Sequence, residues 1–391
     1  MHNPHLQRTV WTLAGTALLC CAQALAQSPK LPGIEAQVQA AIGSNEISGA
    51  VTLVASLDRI LHLEADGMAD SADAKPMKPD AIFWIASMTK PITGAAVLLL
   101  QDEGKLNVDD PVAKYLPEFQ SLKTPSGKAA NLTIRHLLTH TSGLAEAGPE
   151  DSKAARTLAD LIPAFLKQPT QFEPGSRWQY CQSGINTAAR IAEVVSGVAY
   201  PEFLQTRLFT PLGMKDTTFY PAKEQLARIA TSYKKTNSNL ESVGVFAFGG
   251  KDPTVKDRPP LANGGLYSTA SDYARFLRMV LNAGELDGKR YLKPETVKFM
   301  TTVQSGGVKT GFTPGNGWGI GWCVVREPQG VTAMLSPGSC GHGGAYGTQA
   351  WIDPVKGYAY VLMVQRANYP NSDDSPLRKA FQQAAADALS K

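Results

Sequence analysis

The sequence of 391 residues predicts an α/β protein of the α+β type, in which both ends of the chain build one antiparallel sheet and a mainly helical region is inserted between them. Two alternating apolar runs, residues 49–56 and 59–65, are separated by two residues and indicate a β-hairpin. Further strand-like runs follow residue 317, and the periodicity between the two sets of strands is helical. Strands this far apart share one sheet only if the helical region is an insertion, and helices near both termini are then expected to flank that sheet.

The individual elements follow from the period of the apolar residues. Helices are expected over residues 34–42, 92–103, 134–138, 158–166, 184–204, 271–281 and 376–389. Strands after the hairpin are expected over residues 318–326, 330–335, 346–352 and 357–365. Residues 236–265 are rich in Gly, Pro and Asn and predict a long loop that borders a pocket. We therefore divide the mature chain into a sheet domain, residues 27–86 and 250–391, and a mainly helical domain, residues 87–249.

Residues 1–26 are typical of a secretory signal peptide. Arg8 precedes an apolar run over residues 10–22, and Ala24-Leu25-Ala26 forms an A-x-A cleavage pattern. The apolar run is too short to span a bilayer. We expect cleavage after Ala26 and a mature protein that is periplasmic or secreted, with no membrane span.

The charge pattern excludes two classes of partner. The formal net charge is only +4, and no run of lysine or arginine reaches the density that nucleic-acid or membrane-surface binding requires. The pair His136 and His140 has the i, i+4 spacing of a zinc motif but lacks the glutamate that should follow the first histidine. We therefore expect no metal site, and we expect these histidines to be packed or hydrogen-bonded at a helix end.

Three cysteines, Cys181, Cys323 and Cys340, remain after cleavage of the signal peptide. An oxidising compartment permits one disulfide and leaves an odd thiol. Cys323 and Cys340 lie on successive strand-like runs, so we hypothesise a disulfide between them, provided that the strand register pairs them.

The segment F-W-I-A-S-M-T-K-P-I-T-G, residues 83–94, contains the strongest candidate for a catalytic group. Ser87 and Lys90 are three residues apart at the start of a predicted helix, so their side chains lie on one face. Serine is a weak nucleophile, and a lysine whose charged form is disfavoured by burial is able to take its proton. A second S-x-x-K, Ser232 to Lys235, lies in polar sequence with no buried helix after it, and we interpret it as a chance match.

An ordered series of motifs over residues 35–390 resembles the class C β-lactamase-like serine hydrolases. The motifs are F-W-I-A-S-M-T-K-P-I-T-G, L-L-T-H-T-S-G-L, P-G-S-R-W-Q-Y, L-F-T-P-L-G-M, G-G-L-Y-S-T-A-S-D-Y and S-P-G-S-C-G-H-G-G-A-Y-G-T. They are especially similar to the family VIII carboxylesterases and also to D,D-carboxypeptidases. The resemblance implies the β-lactamase/transpeptidase-like fold, with Ser87 as nucleophile and Lys90 beside it.

The second element of that family is Tyr-x-Asn, whose tyrosine acts as general base or acid. An exact match at residues 369–371 comes after every strand, so its order is wrong. Tyr180, about ninety residues after Ser87 and directly after P-G-S-R-W-Q, has the right order. The resemblance therefore implies the proton-transfer role for Tyr180, with Gln182 in the place of the usual asparagine at the substrate-binding edge.

The third element of the family lies on a strand that borders the site. Lys309-Thr310-Gly311 spells the K-T-G form but stands among Gly and Pro residues with no strand pattern, so we predict a loop. His342-Gly343-Gly344 leads into a strand pattern and matches the H-x-G form. The resemblance implies substrate contacts by these three residues and an oxyanion hole made by the backbone amides of Ser87 and Ala345.

The resemblance implies a serine hydrolase, and we expect a carboxylesterase that acts on small or short-chain esters without a cofactor. A histidine with its unperturbed pKa of ~6.5 is mostly neutral at pH 7, and Gly343 offers no hydroxyl, so a substrate carboxylate finds neither group of the K-T-G form. Trp84, Tyr180 and Tyr346 are expected to supply apolar walls for a short acyl chain. The alternatives are a D,D-carboxypeptidase or β-lactamase that acts on an amide or β-lactam, an acyltransferase, and a non-catalytic penicillin-binding-like sensor.

Overall fold

Both ends of the chain contribute to one eight-stranded antiparallel sheet, as the sequence predicts. The computed structural model describes residues 29–245, 252–311, 313–369 and 372–390, so the predicted signal peptide lies outside the described residues. The strands are β1 (Gly49–Ser56), β2 (Ile60–Asp70), β3 (Lys75–Pro76), β4 (Phe83–Trp84), β5 (Tyr233–Thr236), β6 (Asn239–Ser242), β7 (Tyr267–Ser268), β8 (Glu285–Leu286), β9 (Lys289–Arg290), β10 (Asn316–Trp318), β11 (Cys323–Val325), β12 (Cys340–Gly343), β13 (Gln349–Asp353), β14 (Tyr358–Met363) and β15 (Arg366–Ala367). The large sheet has the order β10-β11-β12-β13-β14-β1-β2-β3, so the C-terminal strands continue directly into the N-terminal hairpin.

Helices cover the sheet and form the region inserted between its two sets of strands. They are α1 (Ile34–Gly43), α2 (Thr89–Asp102), α3 (Ile134–Leu138), α4 (Pro149–Ala154), α5 (Leu158–Phe165), α6 (Gln182–Ser196), α7 (Tyr200–Leu204), α8 (Thr210–Leu212), α9 (Lys223–Leu226), α10 (Ala270–Leu281), α11 (Pro294–Thr301) and α12 (Pro376–Leu389). Within the described ranges, no helix is both long enough and apolar enough to cross a bilayer. The proposed division into a sheet domain and a helical domain stays a prediction.

The central strand β1 is buried on both faces of the sheet, which explains its nearly continuous apolar sequence. Val51 and Leu53 belong to the core that includes α2 and α10. Ala50 and Val54 belong to a second core, formed with α1 and α12. The period of two in a strand therefore places the terminal helices on one face of the sheet and the inserted helices on the other.

Four predicted elements differ from the structure. The run at residues 318–326 is not one strand, because it contains the end of β10 and all of β11, which pair with each other, and the predicted loop over residues 236–265 contains the strand β6. The predicted strand at residues 330–335 is wrong, because the segment begins with a 3₁₀ turn at Gly330–Thr332 whose glycine has a φ of 58°. The predicted helix over residues 184–204 is two helices, since Gly197 ends α6 in the left-handed conformation and α7 starts afterwards.

The predicted disulfide between Cys323 and Cys340 is wrong, and all three cysteines are free. Their strands β11 and β12 are neighbours, but Cys323 lies opposite Gly341 and Cys340 lies opposite Val324. Because successive side chains of a strand point to opposite faces, this offset of one residue places the two thiols on opposite faces of the sheet. Cys323 accordingly packs in the core with α1 and α12, and Cys340 packs in the core with α10.

Thiol titration of the mature chain checks this register. We expect three reactive thiols after denaturation without reductant, because neither Cys323 nor Cys340 has a partner on its own face of the sheet. Reaction with a maleimide in guanidinium chloride, counted by intact mass, measures the number. A single reactive thiol would mean that β11 and β12 pair in another register.

Candidate active site

Ser87 lies in a short 3₁₀ turn, Ala86–Met88, that leads directly into α2. Ala86 has a φ of 45°, a left-handed conformation that costs a residue with a Cβ on the order of 1–3 kcal/mol. The side chains on either side of the serine are buried, whereas Ser87 itself is partly exposed. The strained turn therefore presents the candidate nucleophile to the surface while the helix behind it enters the core.

Lys90 is fully buried in the first turn of α2, and its amine reaches the serine as the spacing predicts. Its Nζ lies 2.9 Å from Ser87 Oγ and 2.7 Å from the main-chain oxygen of Asn263. Burial lowers the pKa of Lys90 to about 7, against the opposing effect of the carboxylates of Glu146 and Asp373. A proton-accepting amine is therefore available beside Ser87 near neutral pH.

The loop that holds the amine is fixed by two side chains of α6. Asn186 donates from Nδ2 to Asn263 Oδ1 over 2.9 Å, and Asn263 Nδ2 donates to Gln182 Oε1 over 2.8 Å. Gln182, predicted to contact substrate, thus has its side-chain oxygen engaged with this loop. Asn263 and Asn186 were not predicted from the sequence, in which the only signal for Asn263 is its position next to the G-G-L-Y-S motif.

Tyr180 completes the contact with the serine. Its hydroxyl is hydrogen-bonded to Ser87, and its ring centroid lies 4.6 Å from Lys90 Nζ. Burial raises the pKa of the phenol well above its usual value, so the resting tyrosine carries its proton. The structure therefore brings Ser87, Lys90 and Tyr180 together, and the choice of Tyr180 over Tyr369 agrees with this geometry.

His342 lies on β12 and faces the tyrosine, with Nε2 3.5 Å from the Tyr180 hydroxyl. Its Nδ1 is 2.7 Å from the main-chain oxygen of Gly343. Since a carbonyl only accepts hydrogen bonds, this contact assigns the proton to Nδ1 and leaves a lone pair on Nε2. Burial, with the neighbouring Lys90 charge, lowers the pKa of His342 to about 3, so the ring is neutral at pH 7.

Gly344 allows the end of β12 to lie against the segment that precedes the nucleophile. A Cβ on Gly344 would lie 2.0 Å from Thr348 Oγ1 and 2.7 Å from the main-chain oxygen of Ile85. The strand end therefore packs against the turn that carries Ser87, and Ala345 follows in an exposed position. An oxyanion hole made by the amides of Ser87 and Ala345 stays a prediction that this packing favours.

Trp84 and Tyr346 were expected to line the pocket, but the structure places both in a buried cluster. Their rings meet edge to face, with centroids 4.8 Å apart. Trp84 donates from Nε1 to the main-chain oxygen of Gly264 over 2.7 Å. These aromatic residues therefore support the loop next to Asn263 and do not form an open wall.

A different set of aromatic rings surrounds Tyr180. Trp178 and Trp318 lie with their ring centroids 6.2 and 6.1 Å from that of Tyr180. His140 lies closer, at 4.5 Å, and its Nδ1 accepts a hydrogen bond from the main-chain N–H of Cys181. The expectation that His140 is packed or hydrogen-bonded is thus confirmed. No periodic pattern in the sequence indicates this cluster, because its members come from separate loops and strands.

Two of the chance matches, at Lys309 and Ser232, stand in local structure unlike that around Ser87. Lys309 is exposed in a loop, as predicted, although the neighbouring Gly311 lies against Trp178. Ser232 precedes the strand β5 and donates to Gln365, so it is not on a helix. The Tyr-x-Asn match ends at residues 370 and 371, which lie outside the described residues.

Comparisons with known proteins agree with this architecture. The model of the beta-lactamase family matches residues 34–385. Esterase EstB of Burkholderia gladioli is 30% identical over 364 residues, which cover 85% of this chain and 90% of that protein. Penicillin-binding protein 4 of Amycolatopsis lactamdurans is 31% identical over 321 residues, which cover 81% of this chain and 80% of that protein.

The fold also matches a solved structure, that of EstCE1, described as a hydrolase with promiscuous acyltransferase activity. The TM-score is 0.76 at 25% sequence identity, and the match covers 90% of this chain and 97% of that one. The family match spans nearly all the described residues and includes the strand, turn and helix that bring Ser87, Lys90 and Tyr180 together. The chain therefore belongs to the beta-lactamase family.

Proposed function

We propose that this protein is a serine hydrolase that forms an acyl-enzyme on Ser87 and acts as a carboxylesterase on small neutral esters. The observation that carries the proposal is the double contact of the serine, with the Lys90 amine at 2.9 Å and the Tyr180 hydroxyl also hydrogen-bonded to it. A nucleophile in direct contact with two proton-transfer groups is the arrangement that acyl transfer requires.

The chemistry begins with the proton of Ser87. The neutral Lys90 amine takes that proton with the help of Tyr180, and Oγ forms a bond to the carbonyl carbon of the ester. The resulting oxyanion is stabilised by the amides of Ser87 and Ala345. When the tetrahedral intermediate collapses, the bond to the alcohol oxygen breaks and the alcohol leaves with a proton from the same pair. Water then attacks the acyl-enzyme by the reverse sequence and releases the acid.

The composition of β12, which carries His342 and Gly343, favours neutral substrates over anionic ones. The His342 ring is buried and neutral, so it offers no positive charge to a substrate carboxylate. Gly343 offers no hydroxyl donor. A lost charge-assisted hydrogen bond of roughly 1.5–3 kcal/mol weakens an anionic substrate about ten- to a hundredfold and leaves a neutral ester unaffected. The similarity to EstB and EstCE1 supports the same assignment.

The second candidate function is a D,D-carboxypeptidase or β-lactamase activity, which would use the same three residues. The similarity to a penicillin-binding protein favours this alternative. A non-catalytic sensor of the same fold would not need a buried amine in contact with both its serine and a tyrosine. In either case, the N-terminal sequence supports a periplasmic or secreted location.

Covalent labelling tests the nucleophile. A fluorophosphonate should modify Ser87 on the mature protein, because its hydroxyl is activated and partly exposed, and peptide mass mapping locates the adduct. Ser87→Ala should lose both labelling and ester hydrolysis, whereas the control Ser232→Ala should keep both. Tyr180→Phe should lower kcat at least about 10²-fold if the phenol transfers a proton. Persistent labelling of Ser87→Ala, or full activity of Tyr180→Phe, would contradict the assignment.

Substrate profiling tests the reaction class. We expect kcat/KM for p-nitrophenyl butyrate to exceed that for nitrocefin and for a D-Ala-D-Ala peptide by at least about tenfold at pH 7, because β12 offers no cation to a substrate carboxylate. One enzyme preparation assayed on the three substrates gives the ratio, and Ser87→Ala provides the blank for spontaneous ester hydrolysis. A preference for either anionic substrate would move the assignment to the peptidase or β-lactamase.

The pH dependence tests the role of Lys90. Burial places its pKa at about 7, so the neutral, proton-accepting amine is lost as the pH falls below that value. We expect kcat/KM for a neutral ester to fall about tenfold per pH unit on the acid side and to level off above it. His342→Gln should keep this limb, since the neutral ring with a pKa of about 3 does not titrate there. A flat profile from pH 5 to 8, or loss of the limb in His342→Gln, would be inconsistent with a lysine base.

A further inference from the structure

The carboxylate of Asp373 occupies the place that a side chain on Gly343 would need. A Cβ built on Gly343 would lie 2.0 Å from Asp373 Oδ1 and 2.5 Å from Gln349 Nε2. The carboxylate accepts hydrogen bonds from the main-chain N–H of Gly343 and from the Gln349 side chain. An acidic group is thus fixed against the middle residue of the strand that borders the candidate active site.

Asp373 is held there by the turn that precedes the last helix. It lies in the 3₁₀ turn Ser372–Asp374, and Arg378 of α12 donates from Nη1 to its main-chain oxygen. The guanidinium of Arg378 is itself fixed, 3.9 Å above the Trp351 ring. The position of the carboxylate therefore depends on α12 and not on the flexibility of a single side chain.

The carboxylate is close enough to the candidate active site for its charge to act on Lys90. It borders a small cavity together with His342 and Trp318, and its side chain is partly exposed. The charge of Asp373 raises the pKa of Lys90, and so does the charge of the Glu146 carboxylate. Around Lys90 stand the uncharged Tyr180, His140 and His342 rings and the Cys181 thiol. Burial raises the pKa of Asp373, and the cations Arg378 and Lys90 oppose this effect and favour its charged form.

We propose that Asp373 is a specificity-determining residue that makes this site reject acyl donors carrying a carboxylate. A strand of the K-T-G form presents a hydroxyl donor at the position of Gly343, whereas this chain presents the carboxylate of Asp373, whose negative charge the proposal invokes. A substrate that lies along β12 with its carbonyl at Ser87 brings its neighbouring groups to this charge, and like charges in a partly desolvated site repel strongly. The inference rests on the proposed hydrolase function and extends it to the charge of the substrate.

Two pairs of esters that differ in one charge test the proposal. p-Nitrophenyl glutarate and p-nitrophenyl pentanoate differ in a carboxylate on the acyl side, and 4-carboxyphenyl and 4-carbamoylphenyl butyrate differ on the alcohol side. The measured quantity is the ratio of kcat/KM, anionic over neutral, for the mature protein and for Asp373→Asn. Assay at pH 9, above the limb expected for Lys90, keeps a change in that lysine from affecting the ratio.

Asp373→Asn should raise this ratio at least about tenfold for one pair or both, because the amide keeps the shape of the carboxylate but removes its charge. The control Asp374→Asn removes a charge from the same turn without touching Gly343 and should leave both ratios unchanged. If Asp373→Asn does not fold, as judged by thermal melting, Asp373→Ser serves as the second neutral variant.

Unchanged ratios for both pairs in a folded variant would overturn the specificity role of Asp373, and so would an equal rise in Asp374→Asn. These outcomes are distinct from failure of the proposed function. In that case the unmodified protein would hydrolyse neither neutral ester and a fluorophosphonate would not label Ser87, and the inference about Asp373 would fail with it.

Discussion

The burial of the Lys90 amine is the constraint on which the rest of the site depends. An ammonium removed from water is costly, and among the described residues no carboxylate lies within ion-pair distance of this one. The polar partners that its Nζ has instead are Ser87 Oγ and the main-chain oxygen of Asn263. The residues on either side of Asn263 are also held, because Thr93 donates a hydrogen bond to the main-chain oxygen of Ala262 and Trp84 donates one to that of Gly264. Three consecutive carbonyls are thus bound by side chains on and before one helix, and this fixes the loop at the amine.

The neutral rings around the amine follow from the same constraint. A protonated His342 or His140 would place a second buried charge of the same sign near Lys90, and burial together with that charge lowers the pKa of both. Tyr180 contacts both rings, with centroid distances of 6.1 and 4.5 Å. Because His342 Nε2 carries a lone pair, the neutral ring is able to accept a hydrogen bond from the Tyr180 hydroxyl, 3.5 Å away, which orients the phenol without adding a buried charge. His342 is therefore better understood as a hydrogen-bond partner of Tyr180 than as a weak substitute for a lysine.

The sequence allows the local parts of this structure to be predicted, but not the parts set by distant contacts. The contact between Ser87 and Lys90 follows from helix geometry over three residues, and the last helix is bounded by a proline and an apolar period that are visible in the sequence. Asn263 could not be found in this way, because its position depends on hydrogen bonds to α6, some eighty residues earlier. The disulfide between Cys323 and Cys340 was wrong because strand adjacency is predictable from the pattern, whereas a register offset of one residue is not.

Gly343 and Gly344 are adjacent glycines in the same motif, but each position requires a glycine for a different physical reason. Gly344 is required by close approach, since any side chain there would push β12 away from the backbone before the nucleophile. Gly343 is required because the volume that its side chain would need is occupied by the carboxylate of Asp373, thirty residues later in the chain. From the sequence alone, glycine in place of threonine means the loss of a hydroxyl donor. In the folded protein it also means the gain of a carboxylate, because the missing side chain lets the turn before α12 reach the strand. The chemistry at a motif position is therefore determined by the group that occupies the side-chain volume there. That group can come from a residue elsewhere in the chain.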